Sequence, residues 1–321
     1  MKLTIRKYSW QQAPEAVRSI RQRVFIDEQQ VPAEQEWDAT DEIADHYLAV
    51  TADQTPVGVA RMFPSVTQTA QIGRMAILPE FRSQGAGEQL LHHLIRDAAG
   101  HFRDVQLSAQ QYAIPFYQRC GFHVCSDLYQ DVGIPHVDMR CLAPTLIATQ
   151  SNGRAHPMVL GKDTQPWQCD TDAALADLTD ALSGQAGQRI WLYEHTLEHA
   201  RYDRHRFHEL LSTLARQHRL ADVRLLIHDD KPLAKRRHQI VELMRRLPSR
   251  IQLRVINPLY PHAEHPFLLV DRAGILARTR FGQPQGVANF SARHQVKQAA
   301  DQYQRMWDTA SPSRELRELA L

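Results

Sequence analysis

Residues Gln71–Leu91 read QIGRMAILPEFRSQGAGEQLL, and no other stretch leaves the backbone so few choices. Ile72 to Leu78 is apolar and β-branched enough for a buried strand, which Pro79 stops. Arg82-Ser-Gln-Gly-Ala-Gly87 follows, too small and glycine-rich to be anything but a sharp loop. From Glu88 onward, Leu90, Leu91, Leu94, Ile95 and Ala98 recur at helical spacing, giving a helix with one apolar face. Strand, tight loop and helix in that order imply an α/β fold. A glycine loop feeding a helix N-terminus also presents unpaired backbone N–H groups at the positive end of the helix dipole, where a phosphate fits.

Taken alone, the loop serves equally as a turn. It is neither GxxxxGK[ST] nor a GxGxxG followed by an acidic residue about twenty positions on. Some thirty residues later, however, the chain reads Leu107-Ser-Ala-Gln-Gln-Tyr-Ala-Ile-Pro-Phe-Tyr117-Gln-Arg-Cys-Gly121-Phe122. The Arg-x-x-Gly-x-Gly loop after a strand, then Tyr-x-x-x-Gly-Phe, resembles the two hallmark segments of the GNAT N-acetyltransferases. Two further segments are similar to the ElaA-like branch of that family. One is Arg21-x-x-Val-Phe-x-x-Glu28-Gln-x-Val-Pro32, followed by Glu36-Trp-Asp38, Asp41 and His46; the other is Gly133-Ile-Pro-His-Val-Asp-Met139. The resemblance spans residues 1 to 143 and implies a mixed β-sheet flanked by helices.

It also implies a site. The loop Gln84, Gly85, Ala86, Gly87 and Glu88 would hold the pyrophosphate of acetyl-CoA through backbone N–H groups, with Arg82 adding charge. A splay beside the central strand, at Met75, Ala76 and Ile77, would pair with pantetheine and polarise the thioester carbonyl. Gln110 stands where relatives contact the coenzyme arm, and Tyr117 matches the family's general acid. The helix pattern alone reads Tyr117 as a core tyrosine. A protonated amine needs a base, for which Glu28, Asp38, Asp41 and His46 are candidates by position; composition reads each equally as a surface or capping residue. Acetyl-CoA is the implied cosubstrate, a small-molecule or peptidyl amine the acceptor, and no metal is called for.

The chain has 321 residues, enough for two domains. A net charge of +2 gives no global field for nucleic acid or membrane. The 17 histidines are scattered, and the four cysteines form no CxxC. With no signal peptide and no membrane-length apolar run in view, a reducing cytoplasm is the expectation. Residues 144–170 read as a linker rich in turn formers, either free or packed on a domain. Beyond them, 171–321 alternates helices and strands as a second α/β domain. There Phe267-Leu-Leu-Val-Asp271 and Gly286-Val-Ala-Asn-Phe-Ser291 resemble a phospholipase D-like domain. Its catalytic His-x-Lys is missing: Glu264 and Pro266 hold those positions, with His265 displaced by one. The resemblance therefore implies a degenerate, non-catalytic half that binds, positions or forms a homodimer. Pro232 to Leu247 is expected as one basic helix, either a solvated amphipathic helix or a nucleic-acid face. The function expected is acetyl transfer to an amine. The rival is an acyl-CoA sensor without turnover, whose second domain engages nucleic acid or a protein.

Overall fold

The computed structural model describes residues 2–65, 69–150, 158–217, 219–313 and 315–318. Two compact units emerge, Met1–Pro157 and Met158–Leu321, each built on an eight-stranded sheet.

In the first unit the chain runs β1 (Thr4–Tyr8), α1 (Glu15–Arg21), α2 (Ala33–Glu36), β2 (Asp45–Val50), β3 (Pro56–Pro64), β4 (Thr69–Ile77) and α3 (Ala86–Ala99). It continues through β5 (Asp104–Gln110), α4 (Ile114–Arg119), β6 (Phe122–Val124), β7 (Tyr129–Asp131), β8 (Ile134–Leu142) and α5 (Pro144–Gln150). The sheet order is β1-β2-β3-β4-β5-β8-β6, with β7 also on β8. Only the β4–β5 pair is parallel, because only there does a helix, α3, carry the chain back over the sheet. Leu90, Leu91, Leu94, Ile95 and Ala98 of α3 are all buried, as the spacing predicts. Val17 and Ile20 of α1 pack with Val24 on Leu48, Val59 and Ala76. Past Arg21 the helix widens into a π-helical segment, Gln22–Glu28.

The sheet's irregularity positions the site. Pairing of β4 with β5 covers Thr69–Ile72 against Asp104–Leu107 and stops. Beyond it β4 stays on β3 to Ile77, and β5 stays on β8 to Gln110, so the two strands part. A bulge sits at the parting: Arg61 pairs with Gly73 and Val59 with Ala76, leaving Arg74 and Met75 to face a single residue. Arg74 has φ +48°, a conformation that bends β4 away from its neighbour.

The second unit contains β9 (Pro166–Cys169), α6 (Asp172–Ser183), β10 (Arg189–Glu194), α7 (His199–Tyr202), α8 (His205–Gln217), β11 (Asp222–Ile227), α9 (Lys231–Lys235) and α10 (Gln239–Arg246). β12 (Ile251–Val255), β13 (Phe267–Val270), β14 (Gly274–Arg278), β15 (Gly286–Asn289), α11 (Arg293–Thr309), β16 (Ser311–Pro312) and α12 (Glu315–Glu318) complete it. Its sheet runs β16-β12-β11-β10-β13-β14-β15-β9, parallel from β10 to β12 and antiparallel elsewhere. On one face α11 buries Tyr303, Met306 and Trp307 against Trp191 and Leu269. Leu192, the alternate residue of β10, meets Leu175 and Thr179 of α6 on the other.

Two expectations need correction. Both ends of the 144–170 stretch are built into the units rather than linking them. α5 buries Leu146 and Ile147 beside α3, where Thr145 Oγ1 donates to Ala99 O at 3.0 Å, and β9 pairs with β15. Residues 151–157 lie outside the described residues. The basic helix expected over Pro232–Leu247 is two helices, because the backbone is extended at Arg236 and His238. His238 Nδ1 accepts from Ile240 N and Asp203 accepts from Gln239 N, which starts α10 afresh. Among the described residues, no helix is long and apolar enough to cross a membrane, and all four cysteines are free thiols.

Candidate active site

Gly85 caps α3 with φ +78°, the left-handed conformation that glycine adopts without strain. The first helical bond runs from Gln89 N to Gly85 O at 3.1 Å, so the amides of Ala86, Gly87 and Glu88 precede it and point out of the helix end. Gly87 is pressed against α4: a Cβ there would stand 3.3 Å from Phe116 Cζ, so a side chain would force Phe116 to move. The helix end therefore lies flat on the neighbouring structure, with its amides facing outward. These residues fit a pyrophosphate.

Next to it is the open edge of β4. Leu78 N donates to Val57 O on the β3 side, so the adjacent Ile77 amide and carbonyl face the other way, into the parting. Arg82 Nε already donates to Ile77 O at 2.9 Å. Between the strands lies a cleft of about 420 Å³. Met75 and Arg74 of β4, Ser108 and Gln110 of β5, Tyr117 of α4 and His136 of β8 contribute to its walls. Phe25 and Gln29 close it from the side of the π-helical segment, with Gln110 Nε2 donating to Gln29 Oε1 at 3.2 Å. Tyr117 packs edge-on to Phe116 and Phe122, and its hydroxyl has no hydrogen-bond partner among the described residues. Burial pushes this phenol well above its ordinary range, so it stays protonated.

Beside the cleft, three arginines meet three carboxylates. Arg21, 1 % exposed, reaches Glu36 at 2.6 Å and Asp41 at 2.7 Å. Arg61 bonds Asp38 and Asp41, each at 2.7 Å, and Arg74 bonds Glu36 at 2.8 Å and Asp38 at 3.1 Å. Pairing of this kind lets buried charges persist without neutralising. Burial works to raise Asp38, but the Arg61 guanidinium overrules it and holds the carboxyl at about 2. Asp41 is likewise held low by Arg21 and Arg61 against the pull of burial. Glu36, deeper and touching the cleft, is pushed up by burial despite Arg21 and Arg74.

The structure commits the four candidate bases to other partners. Glu28 is gripped by Arg82 through two contacts of 2.7 Å, which holds its carboxyl below the usual range. Asp38 and Asp41 are spent on arginines. His46 is 1 % exposed, donates from Nε2 to Asp41 O at 2.9 Å and packs at a tilt against Trp10, and burial keeps its imidazole low. None of the four lines the cleft. Arg82, expected at the pyrophosphate, is committed here to Glu28 and Ile77.

Residues 6–143 match the family described as "Acetyltransferase (GNAT) domain". A UPF0039 protein of Schizosaccharomyces pombe is 37% identical over 124 residues, which is 38% of this chain and 82% of that protein. The N-acetyltransferase YjcF of Bacillus subtilis is 35% identical over 122 residues, 37% of this chain and 86% of its own length. The chain belongs to the GNAT acetyltransferases. Escherichia coli ElaA, in its crystal structure, is 26% identical with a TM-score of 0.40, covering 44% of this chain and 99% of that one. Residues 171–319 match a different family, described as "Domain of unknown function (DUF7931)".

Within the GNAT domain, the residues that sequence reasoning passed over are Glu36, Arg61, Arg74 and His136, all of which line the cleft. His136 sits in the Gly-Ile-Pro-His segment already singled out, but no spacing rule says which of 17 histidines faces a cleft. No spacing brings the arginines together in the sequence; the bulge turns Arg74 over Glu36.

In the second unit, Asp271 is consumed structurally, its carboxylate accepting from the amides of Gly187, Gln188 and Arg189 at 2.8 to 2.9 Å. His265 is exposed just ahead of β13. His195 stacks on His228 at 5.6 Å between ring centroids and His262 meets His228 edge-on at 5.1 Å, yet no group of the described residues has the arrangement of a metal site.

Proposed function

We propose that the first unit transfers an acetyl group from acetyl-CoA to an amine by direct attack within a ternary complex. The observation that carries this reading is the convergence of three features: the outward amides of α3, the open edge of β4 at Ile77, and the unpartnered Tyr117 hydroxyl on the cleft between them. The amides suit the pyrophosphate and the open edge suits pantetheine. Tyr117 is placed to protonate the departing thiolate. Cys120 supports direct attack, since burial pushes its thiol up to about 12 and leaves no thiolate to carry an acyl group.

For the second unit we infer a phospholipase D-like relative that binds or dimerises without catalysis. Its support is negative and local: Glu264 and Pro266 stand where a nucleophile and a phosphate-steadying lysine would, and Asp271 is tied to three backbone amides.

The test of the transferase reading is calorimetric titration of acetyl-CoA, with release of free thiol followed over a panel of primary amines. Micromolar binding with thiol release for some amine is expected. Binding with no release over the panel would point instead to an acyl-CoA sensor, and absence of binding would sink both.

A further inference from the structure

We propose that His136 is the general base that deprotonates the acceptor amine, an inference that rests on the transferase reading above. The register of β8 sets His136 opposite Gln110 of β5, and opposite Tyr129 of β7 on its other side. The imidazole stacks on the Tyr129 ring at 6.2 Å and lines the same cleft as Tyr117. Its Nδ1 lies 2.8 Å from Ile134 O. A carbonyl only accepts, so Nδ1 must carry the hydrogen, and in the neutral ring Nε2 then holds the free lone pair. Nε2 has no partner among the described residues and is not sealed in the core. Tyr129 is itself fixed, its hydroxyl donating to Asp138 at 2.8 Å with Ser108 Oγ also in contact, so the ring beneath the imidazole is steady. A base needs a defined tautomer, a held orientation and an open lone pair on the reacting cavity. His136 has all three, whereas Glu28, Asp38, Asp41 and His46 do not line this cleft.

The protons balance as follows. His136 Nε2 takes one proton from the ammonium, freeing the nitrogen lone pair. A C–N bond then forms at the thioester carbonyl and the C–S bond breaks, with the electron pair leaving on sulfur. Tyr117 protonates that sulfur and is restored by the second proton shed from nitrogen. The proton on His136 passes to solvent, so one proton is released per amide formed.

Other titratable and charged groups bear on the imidazole. Tyr129 and Asp131 come from β7, Tyr112 and Tyr117 from α4 and the turn before it, Arg61 from β3, Arg74 from β4 and Glu36 from α2; Asp138 acts through Tyr129. Because burial pushes the Glu36 carboxyl up on the same cleft, the His136 variants, rather than the position of a limb, assign it.

The experiment compares wild type, His136→Gln and His136→Ala, using acetyl-CoA binding by calorimetry and kcat/KM against pH for an amine that wild type acetylates. Acetyl-CoA affinity should stay within about twofold in both variants, while kcat falls about 10²- to 10⁴-fold. The imidazole limb should vanish in both, and added imidazole should restore part of the turnover of His136→Ala only. A merely structural histidine would give neither the lost limb nor the rescue. His136→Gln turning over within threefold of wild type with its limb intact would overturn the proposal. Lost acetyl-CoA affinity in a folded variant would also overturn it, by making His136 a carrier contact. Wild type that binds acetyl-CoA but acetylates no amine removes any task for a base. Wild type that binds no acetyl-CoA fails earlier, at the transferase reading itself.

Discussion

Tyr117 holds its proton because burial, with Tyr112 and Cys120 close by, disfavours the phenolate. If that proton goes to the leaving sulfur, Tyr117→Phe should lower kcat by about 10²- to 10⁴-fold while acetyl-CoA affinity stays the same. Stopped-flow turnover beside calorimetry separates the two, and an unchanged kcat would return Tyr117 to the core role its helix spacing suggests. Glu28 makes the opposite case. Its match to the ElaA-like segment was legible, but its partner lies 54 residues away, so its pairing with Arg82 was not. Glu28→Gln should leave turnover within about threefold of wild type and, by freeing the Arg82 guanidinium, tighten acetyl-CoA a few-fold. Because both side chains are largely exposed, the melting temperature should scarcely move. A collapse of kcat in this variant would restore Glu28 as the base.

At the scale of elements, the α3 N-terminus was the most legible part of the chain, since glycine placement and apolar spacing report the backbone directly. Gly85→Asp tests it. The position is open, with nothing within 4 Å of a built Cβ, and aspartate tolerates φ +78° better than most residues and caps helices well. Its carboxylate would accept from the amides that the pyrophosphate needs and repel the phosphates. Acetyl-CoA affinity should fall at least about 100-fold with little loss of fold, since a cap and a strained backbone offset each other at about 1 kcal/mol each. Titration beside a thermal melt reads both, and retained affinity would mean the loop is only a turn. The β4 bulge was not legible. Arg74 takes positive φ because Glu36, Asp38 and the carbonyls of Gln35 and Glu36 hold its guanidinium, contacts from some 36 to 39 residues away. The break between α9 and α10 was hidden for the same reason, as Asp203 caps Gln239 from 36 residues upstream.

For the whole molecule, lowered carboxyls and buried imidazoles together set the response of the two units to acid. In the first, Asp38 is held at about 2 against an ordinary 3.8. A lowered carboxyl stabilises the fold above 3.8, and that contribution is lost as pH falls toward 2. In the second, burial holds His238 at about 4 against an ordinary 6.5, with nearby Asp203 opposing and His199 adding to the shift. Here the unfolded chain takes the proton first, so stability falls as pH drops from 6.5 toward 4. With the side chain fully buried, the loss approaches about 3 kcal/mol. Protonation would also end the Nδ1 acceptance from Ile240 N that starts α10. His228, half-buried and also near 4, adds a smaller loss of the same sign. Scanning calorimetry from pH 7 to 4.5 should therefore show the second unit's transition falling, while His46, His92 and His93, whose imidazoles burial also lowers, add a loss of the same sign in the first unit. His238→Asn keeps an acceptor for Ile240 N but cannot titrate in this range, so it should more than halve the slope of the falling transition. An unchanged slope would mean that another group drives the acid response.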